Sequence, residues 1–199
     1  MTTMNPAPET LTDHTGKPRA FLNMPLTYGQ ARLGMAFHEA GHAVLSMAYG
    51  MHVITSEGIA WEPEPGQWAV TGNTAHQTQD TPPWHYAAQC AAGELAHVTY
   101  LLTYSLWTPE RAAACAAAHD RELAIDVLRQ FGYRLGRTCV PQGGKSWGMV
   151  QGMARRKVGH LWREIRTVAH AMDERTVLTG DEIAALTGLV NPRFQGGAA

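Results

Sequence analysis

The pentapeptide His38-Glu39-Ala40-Gly41-His42 constrains this chain more than any other feature. It lies inside segment 28–49, where Leu33, Phe37, Ala40, Val44 and Met47 recur at spacings of three and four. That period marks an amphipathic α-helix, and Gly50 just beyond it suits the helix C-terminus. Helix positions i and i+4 share a face. Two imidazoles one turn apart can therefore bind one ion, and zinc is the usual partner of such nitrogen ligands. Glu39 follows the first imidazole, within reach of a water on the same ion, where a carboxylate can take up a proton and hand it on. The helix also contains Gly34 and Gly41, each costing about 1 kcal/mol relative to Ala in a helix interior. Close approach of another backbone would justify Gly41.

Around this helix the sequence predicts one mainly helical α+β domain with a small β-sheet near residues 52–72. A chain of 199 residues fits one domain better than two. Residues 1–25, rich in Thr, Pro and Asn, are expected to form a flexible arm that packs on the body, if at all, through Phe21, Leu22 and Met24. Residues 26–192 form the domain and 193–199 a flexible tail. Short strands are expected at 52–61 and 68–72, joined by Glu-Pro-Glu-Pro-Gly, with 72–83 as an exposed polar loop. Trp68 reads either as a core anchor or as an aromatic facing substrate. Long helices follow over 83–106, 108–131 and about 149–171. The second opens on Thr108-Pro109-Glu110, a cap followed by proline in the first turn. Residues 134–147 form a loop, and Thr179-Gly180-Asp181-Glu182 is a capping box for a short last helix, 180–187.

Catalytic zinc generally has three protein ligands plus water, so a third ligand is required. The extended motif that would place histidine at 48 is excluded, because Leu45 and Ala48 stand where Gly and His would be needed. Glu94, His97, His119 and Asp120 are the candidates by position. Asp120 interrupts an otherwise apolar stripe of Ala113, Ala116, Ala117, Ala124, Val127, Leu128 and Phe131. A carboxylate inside that stripe needs a partner, a metal or an arginine, unless it sits at the edge of the stripe.

Composition narrows the partners. Hydrophobic residues make up 45% and charged residues 17%, which excludes disorder throughout. The formal net charge of −1 gives no basis for binding nucleic acid, and Arg155-Arg156-Lys157 reads as a solvated helix face. The three cysteines have no CxxC spacing; Cys90 and Cys115 read as small core residues. An odd count without an apolar leader suits a reducing, cytoplasmic compartment. No run of 18 apolar residues suggests a membrane segment.

Beyond the pentapeptide, Met35 to Val44 resembles the active-site helix of the peptidase domain of the FtsH family, the membrane-bound ATP-dependent zinc proteases. The segment Ala91-Ala92-Gly93-Glu94-Leu95-Ala96 is similar to that family's Ala- and Gly-rich second helix. His119-Asp120-Arg121-Glu122-Leu123-Ala124 is similar to the segment whose aspartate is the third metal ligand. The stretch 168–186 resembles its final helices. The likeness implies a helical, zincin-like peptidase fold over most of 30–190, with Zn2+ held by His38, His42 and Asp120 and Glu39 as general base. It departs from the family at His97-Val98, where a Glu pair is usual, and at His119, where Asn is usual. Glu94, His97 and His119 are then candidates for supporting the ligands from behind, with His97 alternatively a core histidine. The family's ATPase module and transmembrane segments are not expected here. Gly143-Gly144-Lys145-Ser146 lacks the spacing of a phosphate loop.

The expected activity is hydrolysis of peptide bonds in flexible or unfolded polypeptides, or in one dedicated partner. An extended substrate would add to a sheet edge near 53–59. A separate ATPase or regulator is an expected partner, and an oligomer is compatible with the sequence. Two alternatives stand beside it: an interaction module that keeps the fold without turnover, and a zinc amidase acting on another amide.

Overall fold

Helix α1 (Tyr28–Ala48) organises the protein. The computed structural model describes residues 5–19 and 25–193. Thr27 opens α1 with a capping box: its hydroxyl accepts from the Gln30 N–H, and the Gln30 side chain accepts from the Thr27 N–H. From Ala36 to Met47 every residue except His38 is buried. A helix buried nearly all round needs neighbours on every side. Helix α3 (Ala92–Thr103) comes closest. A Cβ on Gly41 would stand 2.7 Å from both the Ala92 carbonyl oxygen and the Ala96 Cβ. Gly41 thus serves the close backbone approach its position suggested. On another side Phe37 stacks on Tyr100 and on Trp162 of α7 (Trp162–Arg175), with ring centroids 4.9 and 5.2 Å apart. Arg32 makes two hydrogen bonds to Asp173, of 2.8 and 3.1 Å.

The sheet covers the remaining face. Strands β1 (His52–Glu64), β2 (Gln67–Gln77) and β5 (Val177–Thr179) are antiparallel in the order β2-β1-β5. The β1–β2 hairpin is longer than its composition suggested. Residues 72–77, expected in an exposed loop, belong to β2, and their small and polar side chains serve α1 as described below. The expected substrate edge at 53–59 is not an edge. Strand β1 is central: Thr55–Glu57 pair with β5, and the Asn191 side chain bonds both the N–H and the C=O of Val53 (2.9 and 3.0 Å). The outer strand is β2. Trp68, 38% exposed, sits edge-on against Tyr28 at the outer end of the hairpin rather than in the core.

Each long helix expected downstream is broken in two. Segment 83–106 divides at Ala91 into α2 (Pro83–Cys90) and α3. Segment 108–131 divides into α4 (Pro109–Ala114) and α5 (Ala118–Gln130). The fourth helix divides at Leu161 into α6 (Trp147–His160) and α7. The junctions hold Ala and Leu, good helix formers, so tertiary packing sets these bends. The break before α5 also interrupts the apolar stripe: Ala124, Ile125 and Leu128 are buried, whereas Phe131 is 71% exposed. Within 134–147, β3 (Leu135–Gly136) and β4 (Lys145–Ser146) make a short parallel pair. Helix α8 (Gly180–Thr187) starts on the expected Thr179 capping box. Cys90 and Cys115 are buried, as expected of core cysteines.

Residues 5–19, expected in a flexible arm, are folded against the sheet. A 3-10 turn (Pro8–Leu11) leads into a tight reversal closed by Arg19 N–H to Leu11 C=O (2.9 Å) and Asp13 N–H to Lys17 C=O (2.7 Å). The Asp13 carboxylate accepts from the N–H groups of Thr15 and Lys17 and so fixes the turn. Phe21, Leu22 and Met24 lie outside the described residues, as does the tail beyond Arg193. Among the described residues no helix is long and apolar enough to cross a membrane.

Candidate metal centre

One face of α1 meets α5 across the N-terminus of α3. There the structure brings together His38, His42 and Asp120. His38 Nε2 and His42 Nε2 are 3.1 Å apart, and Asp120 Oδ2 lies 3.3 and 3.2 Å from them. Ligand atoms around a tetrahedral zinc, at about 2.0–2.1 Å from the ion, stand roughly 3.3–3.4 Å apart. The triangle is close to that size.

The donor chemistry also fits a cation. His42 Nδ1 lies 2.9 Å from the Gln89 carbonyl, an oxygen that can only accept, so Nδ1 carries the proton. Gln89 is in the last turn of α2, which ends at Cys90, so within that helix its carbonyl has no N–H four residues on. Neutral His42 therefore turns the lone pair of Nε2 toward a carboxylate oxygen and a second imidazole nitrogen. Three electron-rich atoms in contact require a positive charge among them, either a proton or a metal ion. Burial opposes the imidazolium of His42, but the Asp120 charge and hydrogen bond outweigh it and push the His42 pKa up to about 9. Burial likewise opposes the Asp120 carboxylate. The His42 charge and the hydrogen bonds from both imidazoles overcome this and hold it well below the usual carboxylate range. Proton and metal compete for this face.

Gly93 leaves room in front of the nitrogens. A Cβ there would lie 2.3 Å from His42 Nε2 and 2.5 Å from His38 Nε2, so any side chain would crowd the ligand atoms. Among the four candidates for third ligand, Asp120 alone joins the triangle. Glu94 sits nearby but is otherwise engaged. It accepts from the Ala117 N–H at the start of α5 and from the Gln151 side chain (2.9 Å). Its role here is to anchor the turn that presents Asp120. Burial raises its pKa against those hydrogen bonds. His97 is a core histidine: Nε2 has no hydrogen-bond partner and faces Gly34, where a Cβ would lie 2.5 Å away. Burial, then the charge of His38, push its pKa down to about 3. His119 points away from the ligand triangle toward His14, with ring centroids 5.8 Å apart.

Glu39 is buried on the sheet side of α1. Its Oε2 accepts from the Thr74 hydroxyl at 2.7 Å. Ser56 and Thr74 hydroxyl oxygens are 2.8 Å apart; with the Thr74 proton on Glu39, Ser56 is the donor to Thr74. Gly72 makes this approach possible, since a Cβ there would come within 2.4 Å of Glu39 Cγ and Oε1. The sequence motifs do not point to Ser56, Gly72, Thr74 or Gln89. Only the glycines carried a signal, as residues interrupting a strand and an Ala-rich helix where close approach is the usual reason. No family model matches the chain, and no curated protein matches it.

Proposed function

We propose that the chain is a zinc-dependent endopeptidase acting on flexible or unfolded polypeptide, with His38, His42 and Asp120 as metal ligands and Glu39 as general base. The observation that carries this reading is the Nε2–Nε2–Oδ2 triangle, with a carboxylate one residue along the same helix and pinned in place. Zinc is the favoured ion for two imidazoles and one carboxylate, although other first-row divalent ions suit the same donors. When bound, zinc would supply Lewis acidity toward a carbonyl oxygen and acidify water. Glu39 would accept the proton of the attacking water and return it to the leaving amine. Thr74 would keep Oε2 engaged and orient the other oxygen.

The substrate would bind as an added strand along the free edge of β2. That edge runs beside Glu39, through Gly72 and Thr74. The ordered likeness of 35–44, 91–96 and 119–124 to the FtsH peptidase domain supports the same reading. A folded substrate presents few extended segments, so a separate ATP-driven unfoldase is the partner we propose for such substrates.

The test uses zinc-loaded protein and unstructured casein, with zinc per chain measured throughout. Cleavage by the wild type and its loss in Glu39→Gln, with zinc retained, is the expected result. Equal cleavage by both proteins would sink the proposal. Zinc binding without cleavage of any peptide would favour an interaction module or an amidase.

A further inference from the structure

The orientation of β2 backbone groups follows from its neighbour. The N–H of Gly58 in β1 donates to Thr176 C=O, on the β5 side. Gly58 pairs with Gly72, so this is a non-hydrogen-bonded pair of the antiparallel ladder. Gly72 must then direct its own N–H and C=O away from β1, at the free edge. Thr74, two residues along and paired with Ser56, does the same. These are the backbone groups an added strand would use.

The Gly72 carbonyl is already taken. Arg19 Nη1 donates to it at 3.2 Å, while Arg19 Nε donates to Thr12 C=O at 3.0 Å and locks the N-terminal reversal. The same segment reaches the outer face of β2, opposite α1, where the Thr71 hydroxyl donates to Thr10 C=O (3.5 Å). At its tip, His14 Nε2 lies 2.9 Å from Asp126 Oδ2 of α5, and its ring faces His119, next to the ligand Asp120. Residues 10–19 therefore span from the β2 edge to the helix that supplies the third ligand.

We infer that residues 10–19, which bridge β2 and α5, are an intramolecular ligand of the β2 edge, held there in competition with extended peptide. This rests on the endopeptidase reading for its functional consequence, but not for the contact itself. Besides the Thr71 bond to Thr10, two side chains of the segment anchor it, Arg19 on Gly72 and His14 on Asp126. Both are polar contacts at the rim, the kind that a competing chain can displace. The occupied fraction would raise the apparent KM for peptide in proportion and leave the chemistry unchanged.

The test is the full-length Arg19→Ala/His14→Ala double variant beside the wild type, both zinc-loaded. Loss of two such contacts should lower KM for an unstructured peptide by about fivefold or more, with kcat and zinc content unchanged. Release of the segment should accelerate amide exchange at Asp13 and at position 19, the two amides bonded within the reversal, and a synthetic peptide of residues 8–19 should inhibit the variant competitively. An unchanged KM, or unchanged exchange at those amides, overturns the inference. If neither protein cleaves any peptide, the endopeptidase reading falls on its own. Exchange at Asp13 and at position 19 then decides the contact: faster in the variant upholds it, unchanged refutes it.

Discussion

His42 and His97 stand on facing helices, both buried, and have opposite characters. His42 has a carbonyl behind it and a carboxylate in front, and its pKa is pushed up to about 9. His97 has no partner for Nε2, and burial pushes its pKa down to about 3. Burial alone penalises charge on either ring; the partners decide which way each one goes. One site is built to hold positive charge and the other to exclude it. A buried histidine near a motif is therefore no evidence of a ligand until its partners are known.

The largest effect separates the two rings by metal binding. Asp120→Ala should lower zinc affinity by more than about 100-fold, the upper range for groups that only support ligands, whereas His97→Leu should leave it nearly intact. Zinc per chain after competition with a chelator measures both. Stoichiometric zinc in Asp120→Ala would transfer the ligand role to Glu94 and erase the contrast. Gly93 sharpens the same point. Gly93→Ala would drive a methyl into both Nε2 atoms, so zinc affinity should fall by roughly 10- to 100-fold. Gly152→Ala, on α6 with open space around it, should instead raise stability by up to about 1 kcal/mol. Equal effects from the two substitutions would show that Gly93 does not guard the site.

The grouping of His38, His42 and Asp120 was partly legible in the sequence, because two of its members follow a local rule and the third breaks one. His38 and His42 are one turn apart, and Asp120 is a carboxylate among alanines. The α+β class was legible because it too follows local rules. Three features were not. The breaks at Ala91, before α5 and at Leu161 occur in residues that favour helix, so neither propensity nor period marks them. Yet the break at Ala91 ends α2 where Gln89 can meet His42. The polar stretch 72–77 reads as loop by composition, but Thr74 meets a buried carboxylate and Gly72 makes room for it. Long-range pairs such as Ser56 with Thr74, or Arg19 with Gly72, leave no trace in spacing. They exist only once β1 and β2 have paired.

The next effect in size is the part of the pH dependence that His97 contributes, isolated by comparison with His97→Leu. Its folded pKa, about 3, lies below its ordinary value of 6.5, so the unfolded chain binds the proton first. The stability linked to neutral His97 is complete above pH 6.5 and declines as pH falls toward 3, by about 1.4 kcal/mol per pH unit. From pH 7 to pH 5 the wild type should lose about 2 kcal/mol more than His97→Leu. Urea unfolding at the two pH values, with chelator present in both, measures this. Parallel losses would mean that His97 finds a proton acceptor or water when charged.

Thr74 tests the comparison at its smallest scale, one hydroxyl. Glu39 resembles His42 rather than His97, since it is buried with a hydrogen-bond partner against its polar end. Replacing Thr74 by Val keeps the shape and removes the donor. A hydrogen bond to a carboxylate contributes about 1.5–3 kcal/mol, but Ser56 stands close behind and can partly replace it. We expect kcat for peptide hydrolysis to fall by about fivefold, the equivalent of roughly 1 kcal/mol, with KM and zinc content unchanged. Thr74→Ser, which restores the donor, should recover most of that rate. A Val variant with wild-type kcat would show that packing against Gly72 alone orients Glu39. The hydroxyl pair would then belong to the sheet rather than to the site.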